Sequence, residues 1–258
     1  MFTNKESRYD LLLLDWGIGG LSVYREVKKR RPDLACLYVS DAGARPYGKM
    51  DAEELSGRLT SIVDRAAGRF GLRDVIIACN AASTAREPVA RHLPHLKITG
   101  MIEAGLAAVK AAGVKKVGVI GGIRTVESEI YQKALKDRGT EVIARSAQPL
   151  SALIEEGCLA GPRLEIALEP ILAPFAGIPA LLLACTHYPA IGAEIQKILP
   201  GIKLLDPSPI AAAAADAVHA GNGASDAFYT TGDCAGSERA AHLAFGVEAK
   251  FLPADWLR

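Results

Sequence analysis

Two cysteines stand where a catalytic group would be placed. Cys79 closes the run DVIIAC and is followed by Asn80, Ala81, Ala82 and Ser83, while Cys185 closes ALLLAC and is followed by Thr186, His187, Tyr188 and Pro189. Each run reads as a strand ending at its cysteine. Free backbone N–H groups at such a strand-to-helix turn favour anions, a thiolate or a bound carboxylate included. A histidine two residues from a strand-end thiol can hold or pass its proton. Asp15 ends another apolar run, LLLLD, directly before Trp16 and the glycine cluster GIGG. Two thiols facing each other across a cleft suit the inversion of a carbon that carries a weakly acidic hydrogen. A base removes the proton from one face while an acid delivers another to the opposite face. One thiolate and one thiol exchange roles, so their titration belongs to the pair. A free cysteine titrates near about 8.5; Asp15 can accept the proton of Cys79, and protonated His187 favours the thiolate of Cys185.

Other chemistry stays open on these residues alone. Each cysteine by itself reads equally as a buried packing residue. A cysteine nucleophile with His187 as its base leaves Cys79 without a role. A zinc site built from Cys79, Cys185 and His187 lacks the paired CxxC or HxxxH that presets ligands, so no metal is expected. No GxSxG elbow is present, and GIGGLS places Ser22 where a dinucleotide-binding turn wants its last glycine. Cys36, Cys158 and Cys234 lack comparable settings and read as packing residues.

The elements that must position these groups are short apolar runs alternating with helical patterns: LLLLD, CLYVSD, DVIIACN, LKITGMI, KVGVIGG, EVIAR, ALLLACT, IKLLD and FYTTGD. That alternation is the α/β signature, with parallel strands joined by helical crossovers. Alanine-rich AGLAAVKAAG and AAAAADAVHA predict helices packed against sheet. The chain also resembles itself. DVIIACNAAST parallels PALLLACTHYP, LLLLDWGIGG parallels KKVGVIGGIRT, and the steps from Asp15 to Cys79 and from Gly121 to Cys185 are both 64 residues. Two similar α/β lobes with mainly parallel sheets follow, with the site in the cleft between them. Residues 8–97 with 208–255 form the first lobe and 98–207 the second, each delivering one cysteine.

Composition agrees with a globular protein. Of the 258 residues 50% are hydrophobic and 23% charged, with a formal net charge of +1, which excludes a disordered chain or a polyelectrolyte and gives no sign of a nucleic-acid partner. Lys28, Lys29, Arg30 and Arg31 read as a solvated last helical turn. The opening MFTNKESRYD has no apolar signal core, and no run reaches the roughly 18 apolar residues that span a bilayer, so a cytoplasmic protein without membrane contact is expected. Five scattered cysteines without a CxxC pair read as reduced thiols.

Over nearly its full length the chain resembles the cofactor-independent glutamate racemases of the aspartate/glutamate racemase superfamily. The matching segments are LDWGIGG for the family's DSGxGG, DAGARPYG for its loop ending PYG, ACNAAS for its CNTAS, MIEAG for its IEPG, RTVESEIY for its TxxSxxY, LIEEG, ACTHYP and LLD. The resemblance implies that Cys79 and Cys185 are the acid/base thiols, with Asp15 assisting Cys79, and His187 and Glu155 assisting Cys185. Pro46, Tyr47 and Gly48 would hold a substrate carboxylate largely through backbone N–H groups, Asn80 and Thr186 would grip other polar groups, and Thr125 would line the site. Glu156, next to Glu155, competes for the inward position, and Tyr47 reads equally as a packed aromatic.

Three positions depart from the family pattern: Trp16 replaces a serine, Ala81 a threonine, and Gly122 stands where many members carry a threonine. Each change removes a hydroxyl, and a lost hydrogen bond to a charged ligand costs about 1.5–3 kcal/mol. The acid/base machinery is intact while the recognition shell is altered. The reading is an amino-acid racemase of small acidic substrates, glutamate first, needing no cofactor or metal and feeding cell-wall precursors; a homodimer is compatible with it. A related racemase, isomerase or decarboxylase acting on another small acid, or a non-catalytic homologue, is the alternative.

Overall fold

The computed structural model describes residues 9–221 and 224–257. Residues 1–8, where most of the polar opening and the first residue assigned to the first lobe fall, lie outside the described residues. Ten strands form two sheets: β1 (Leu11–Asp15), β2 (Cys36–Ser40), β3 (Asp74–Ile77), β4 (Lys97–Gly100), β9 (Ala227–Thr230) and β10 (Phe251–Pro253) in one, and β5 (Lys116–Gly121), β6 (Glu141–Ser146), β7 (Ala180–Ala184) and β8 (Lys203–Leu205) in the other. The orders are β10-β9-β2-β1-β3-β4 and β6-β5-β7-β8. All their pairings are parallel. The second order repeats the β2-β1-β3-β4 part of the first, which is the self-resemblance of the sequence in three dimensions. β1 corresponds to β5 and β3 to β7, so Asp15 and Gly121 end equivalent strands and the two cysteines follow equivalent strands.

Parallel strands covered on both faces read as unbroken apolar runs, and β1 shows why. All five of its residues are buried. Leu11 and Leu13 enter one hydrophobic core while Leu12 and Leu14 enter another, because successive side chains of a strand point to opposite faces. Each buried leucine contributes about 1.5–3 kcal/mol, so the four-leucine run fastens the centre of the sheet and fixes where Asp15 emerges.

All nine sequence-predicted strands form; β10 was not anticipated, being three residues long and ending in Pro253 at the sheet edge. The boundary drawn at 97/98 falls inside β4, whose Lys97 to Gly100 pair with β3. AGLAAVKAAG lies mostly within the helix Met101–Ala112, as predicted. AAAAADAVHA does not make one helix: an α-helix over Ser208–Ala212 tightens to a 3₁₀ turn over Ala213–Ala217 and the chain then extends at Val218. Arg31 ends it by donating to the carbonyls of Ala215 (3.0 Å) and Val218 (2.9 Å). The basic cluster is therefore more than a solvated helix end. Lys28 also reaches Asp226, and Arg30 pairs with Asp216. Among the described residues no helix is long and apolar enough to cross a membrane.

The lobes also meet through Tyr131, fully buried on the helix Ile130–Lys136 of the second lobe. Its hydroxyl donates to Asn80 Oδ1 in the first lobe at 2.7 Å and lies 3.3 Å from the Met101 carbonyl. Tyr131→Phe leaves both acceptors without that donor in a dry interior, so a loss of about 1–3 kcal/mol is expected in urea unfolding. An unchanged midpoint would show that water replaces the hydroxyl.

Candidate active site

The first half of the site grows from β1 and β3. Asp15 is fully buried at the carboxyl end of β1, the edge at which parallel sheets hold ligands. Its carboxylate accepts from the N–H groups of Trp16 (2.6 Å) and Gly20 (2.5 Å) and from the Thr186 hydroxyl (3.3 Å). Cys79 is the extended residue before the short helix Asn80–Ser83. Its sulfur hydrogen-bonds to Asp15 and to the Ala82 N–H. Burial raises the Asp15 carboxyl above its ordinary range against the opposing pull of His187 and its hydrogen-bond donors. Burial, reinforced by the neighbouring charge of Asp15, pushes the Cys79 thiol well up, so this sulfur holds its proton firmly and is a strong base once it loses it.

The second half follows β7. His187 places Nδ1 3.7 Å from Cys185 Sγ and Nε2 2.7 Å from Glu155 Oε1, and the same oxygen accepts from the Ile18 N–H at 2.8 Å. Burial disfavours an imidazolium, but the hydrogen bonds to Cys185 and Glu155 outweigh it and hold the His187 pKa well above its ordinary value. Glu155 ends the helix Gln148–Glu155 and turns inward, whereas Glu156 turns out to Arg163 at 2.6 Å. The glycine cluster after Asp15 serves close approach. A side chain at Gly17 would collide with the Glu155 carboxylate, and one at Gly19 with His187 and Thr186.

A cavity of about 50 Å³ is lined by Asp15, Trp16, Pro46, Tyr47, Gly48, Cys79, Asn80, Ala81, Thr125, Cys185, Thr186 and His187, together with Gly122, Gln148, Ser151 and Ala184. Of the residues named from sequence only Glu155 is outside it, behind His187. Among the described residues no lysine or arginine lines the cavity. Two buried polar atoms among the lining residues, Asn80 Nδ2 and Thr125 Oγ1, have no partner among the described residues and suit a polar ligand. Among the described residues no group of three or more His, Cys, Asp and Glu side chains is arranged to hold a metal ion.

Two aromatic residues that line the cavity turn their polar atoms to the protein. Tyr47 is buried with its hydroxyl donated to Asp41 Oδ2 (2.9 Å), and the indole N–H of Trp16 goes to the Ala44 carbonyl (3.0 Å). Both hold the 41–48 loop in place. Asp41, which sequence reasoning passed over, is the hub of that loop. Besides Tyr47 it takes Arg58 through Nε (2.9 Å) and Nη2 (2.5 Å), and the Thr231 hydroxyl (3.0 Å). Gln148 and Ser151 were also missed; their one signal is position, at the start of the helix that follows β6, on the same sheet edge as Cys185.

The raised pKa of His187 has a pH consequence. Stability from a group whose folded pKa lies above its unfolded value is fully present below that unfolded value, near 6.5 here, and is lost as pH rises through the folded value. Glu155→Gln is therefore expected to lower the His187 titration midpoint in ¹⁵N ring NMR, and its stability loss in denaturant should be largest below pH 6.5 and shrink as pH rises. A midpoint that does not move would show that Glu155 does not hold the imidazolium.

Comparison with known proteins follows the same geometry. Residues 20–215 match the Asp/Glu/Hydantoin racemase family. The glutamate racemase of Aquifex aeolicus is 33% identical over 199 residues, covering 76% of this chain and 78% of that protein. The glutamate racemase of Vibrio cholerae is 35% identical over 203 residues, covering 76% and 75%. Among solved structures, a glutamate racemase isoform from Bacillus anthracis superposes with a TM-score of 0.85 at 25% identity over 96% of this chain and 98% of that one. The glutamate racemase from Francisella tularensis, in complex with D-glutamate, gives 0.84 at 25% identity over 95% and 97%. The chain belongs to the Asp/Glu/Hydantoin racemase family.

Proposed function

We propose that this chain is a glutamate racemase, interconverting L- and D-glutamate with Cys79 and Cys185 as the opposed acid and base. One observation carries the reading: two thiols after equivalent strands of two lobes line one cavity, each with its own proton partner. The thiolate on one face takes the α-proton, and the electron pair passes into the substrate's α-carboxylate. The thiol on the other face then protonates the same carbon, which inverts it and leaves the two sulfurs with exchanged protonation states. Asp15 accepts the proton of Cys79, and His187, steadied by Glu155, exchanges one with Cys185. Asn80 Nδ2, Thr125 Oγ1 and the N–H groups of the Pro46–Gly48 turn bind the charge that gathers on the carboxylate. The same reading puts the enzyme in the cytoplasm, supplying D-glutamate for peptidoglycan precursors, and keeps the two lobes, residues 8–97 with 208–255 and 98–207, with their seam moved to 100/101 so that β4 stays with its sheet.

Polarimetry with single enantiomers tests it. L- and D-glutamate should each racemise without added cofactor, and Cys79→Ser or Cys185→Ser should cut the rate by at least about 10³-fold, because an alcohol is a far weaker acid and its alkoxide inaccessible. Retention of inversion in either variant would remove that sulfur from the mechanism. Trp16→Phe keeps the ring and loses the N–H to Ala44, so its effect should fall on KM through the loosened loop, by about 5–15-fold for one hydrogen bond. An unchanged KM would show that Asp41 alone holds the loop.

A further inference from the structure

We infer that Gln148 is a specificity-determining residue of this site, its side-chain N–H donating to the side-chain carboxylate of the substrate; the inference rests on the glutamate reading above. The backbone leading into Gln148 is clamped. The Ala147 N–H donates to the Gly121 carbonyl and the Ala147 carbonyl accepts from the Tyr188 hydroxyl, both at 2.8 Å. The carboxamide is then fixed from two sides. Its Oε1 accepts from the Ile123 N–H at 3.2 Å, and its Nε2 faces Ser151 Oγ at 3.4 Å. Ser151 gives its own proton to the Gln148 carbonyl at 2.9 Å, so it can only accept from Nε2. Those two contacts decide which end of the amide is oxygen. An amide nitrogen carries two hydrogens, and Ser151 takes one. The residue lines the cavity, where the second can meet a ligand.

Two glycines leave open the space that the carboxamide oxygen takes. A Cβ added at Gly48 would come within 2.8 Å of Gln148 Oε1, and one added at Gly122 within 2.9 Å. One glycine belongs to the carboxylate-binding turn of the first lobe and the other follows β5 in the second. Gly122 has φ −65° and ψ 162°, a conformation open to any residue, so backbone freedom does not explain it. What a side chain there would displace is the carboxamide. Gln148 thus occupies the space of a residue at 122 and supplies a neutral donor in a cavity that has lost hydroxyls at 16, 81 and 122.

The experiment measures KM, kcat and calorimetric binding of D-glutamate for the unaltered protein, Gln148→Ala, Gln148→Glu, Gly122→Thr and the Gly122→Thr/Gln148→Ala double variant. Gln148→Ala should raise KM and Kd about 10–100-fold with a much smaller change in kcat, the loss of one hydrogen bond to a charged group. Gln148→Glu, nearly the same shape, should weaken binding further at neutral pH by facing a carboxylate with a carboxylate. Gly122→Thr should also weaken binding, and the double variant should bind better than the product of the single effects, since removing the carboxamide makes room for the threonine. An unchanged KM and Kd in Gln148→Ala, a loss of kcat or thermal stability alone, or additive single effects would overturn the inference while leaving the racemase intact. Failure of the unaltered protein to bind or racemise glutamate would instead overturn the functional reading, and this inference with it.

Discussion

Glu155 Oε1 accepts two hydrogen bonds at once, from the Ile18 N–H of the first lobe and from His187 Nε2 of the second, and this shared acceptor keeps the two halves of the site in register. The contact exists only because the chain after Asp15 is glycine-rich. Side chains at Gly17 or Gly19 would fill the space taken by Glu155, His187 and Thr186. Thr186 answers from the other side by donating to Asp15. The same turn that caps the Asp15 carboxylate therefore seats the imidazole serving Cys185, and the proton partners of both sulfurs are set by one junction.

The burial that makes this junction also gives it chemical meaning. Desolvation drives up Asp15 and Cys79, so on that side protons are held as neutral carboxyl or thiol. His187 resists the same desolvation because Glu155 and Cys185 both hydrogen-bond to it, so on this side the proton is held as a cation. The proton partners of two sulfurs that follow equivalent strands are thereby chemically unequal. Loop rigidity comes from Asp41, whose buried carboxylate gathers Arg58, Tyr47 and Thr231.

Much of this was legible in the amino-acid order for definite reasons. Strands of a parallel sheet are buried on both faces and announce themselves as apolar runs, and acids or thiols at their ends stand out by residue type alone. Glu155 and Glu156 could not be separated from sequence, because only the direction in which the helix end faces decides that one meets His187 and the other Arg163. Asp41 was hidden because two of its three side-chain partners, Arg58 and Thr231, lie 17 and 190 residues away. The alanine-rich segment was misread because helix propensity is local, while Arg31, which ends the helix, comes from another element. Gln148 is an ordinary residue at an ordinary helix start; its closeness to Gly48 and Gly122 is visible only in three dimensions. Tyr47 and Trp16 line the cavity, yet their polar atoms serve the loop.

The central claim is that two opposed thiols, rather than one mobile base, invert the substrate. The most direct measurement follows the initial conversion of protiated L-glutamate in deuterated water, with the α-hydrogen of substrate and product read separately by mass spectrometry. Opposed thiols require the first D-glutamate formed to carry solvent deuterium while the remaining L-glutamate stays protiated. Deuterium appearing equally in both pools, or protium carried from substrate into product, would mean that a single group serves both faces and would contradict the mechanism built on Cys79 and Cys185.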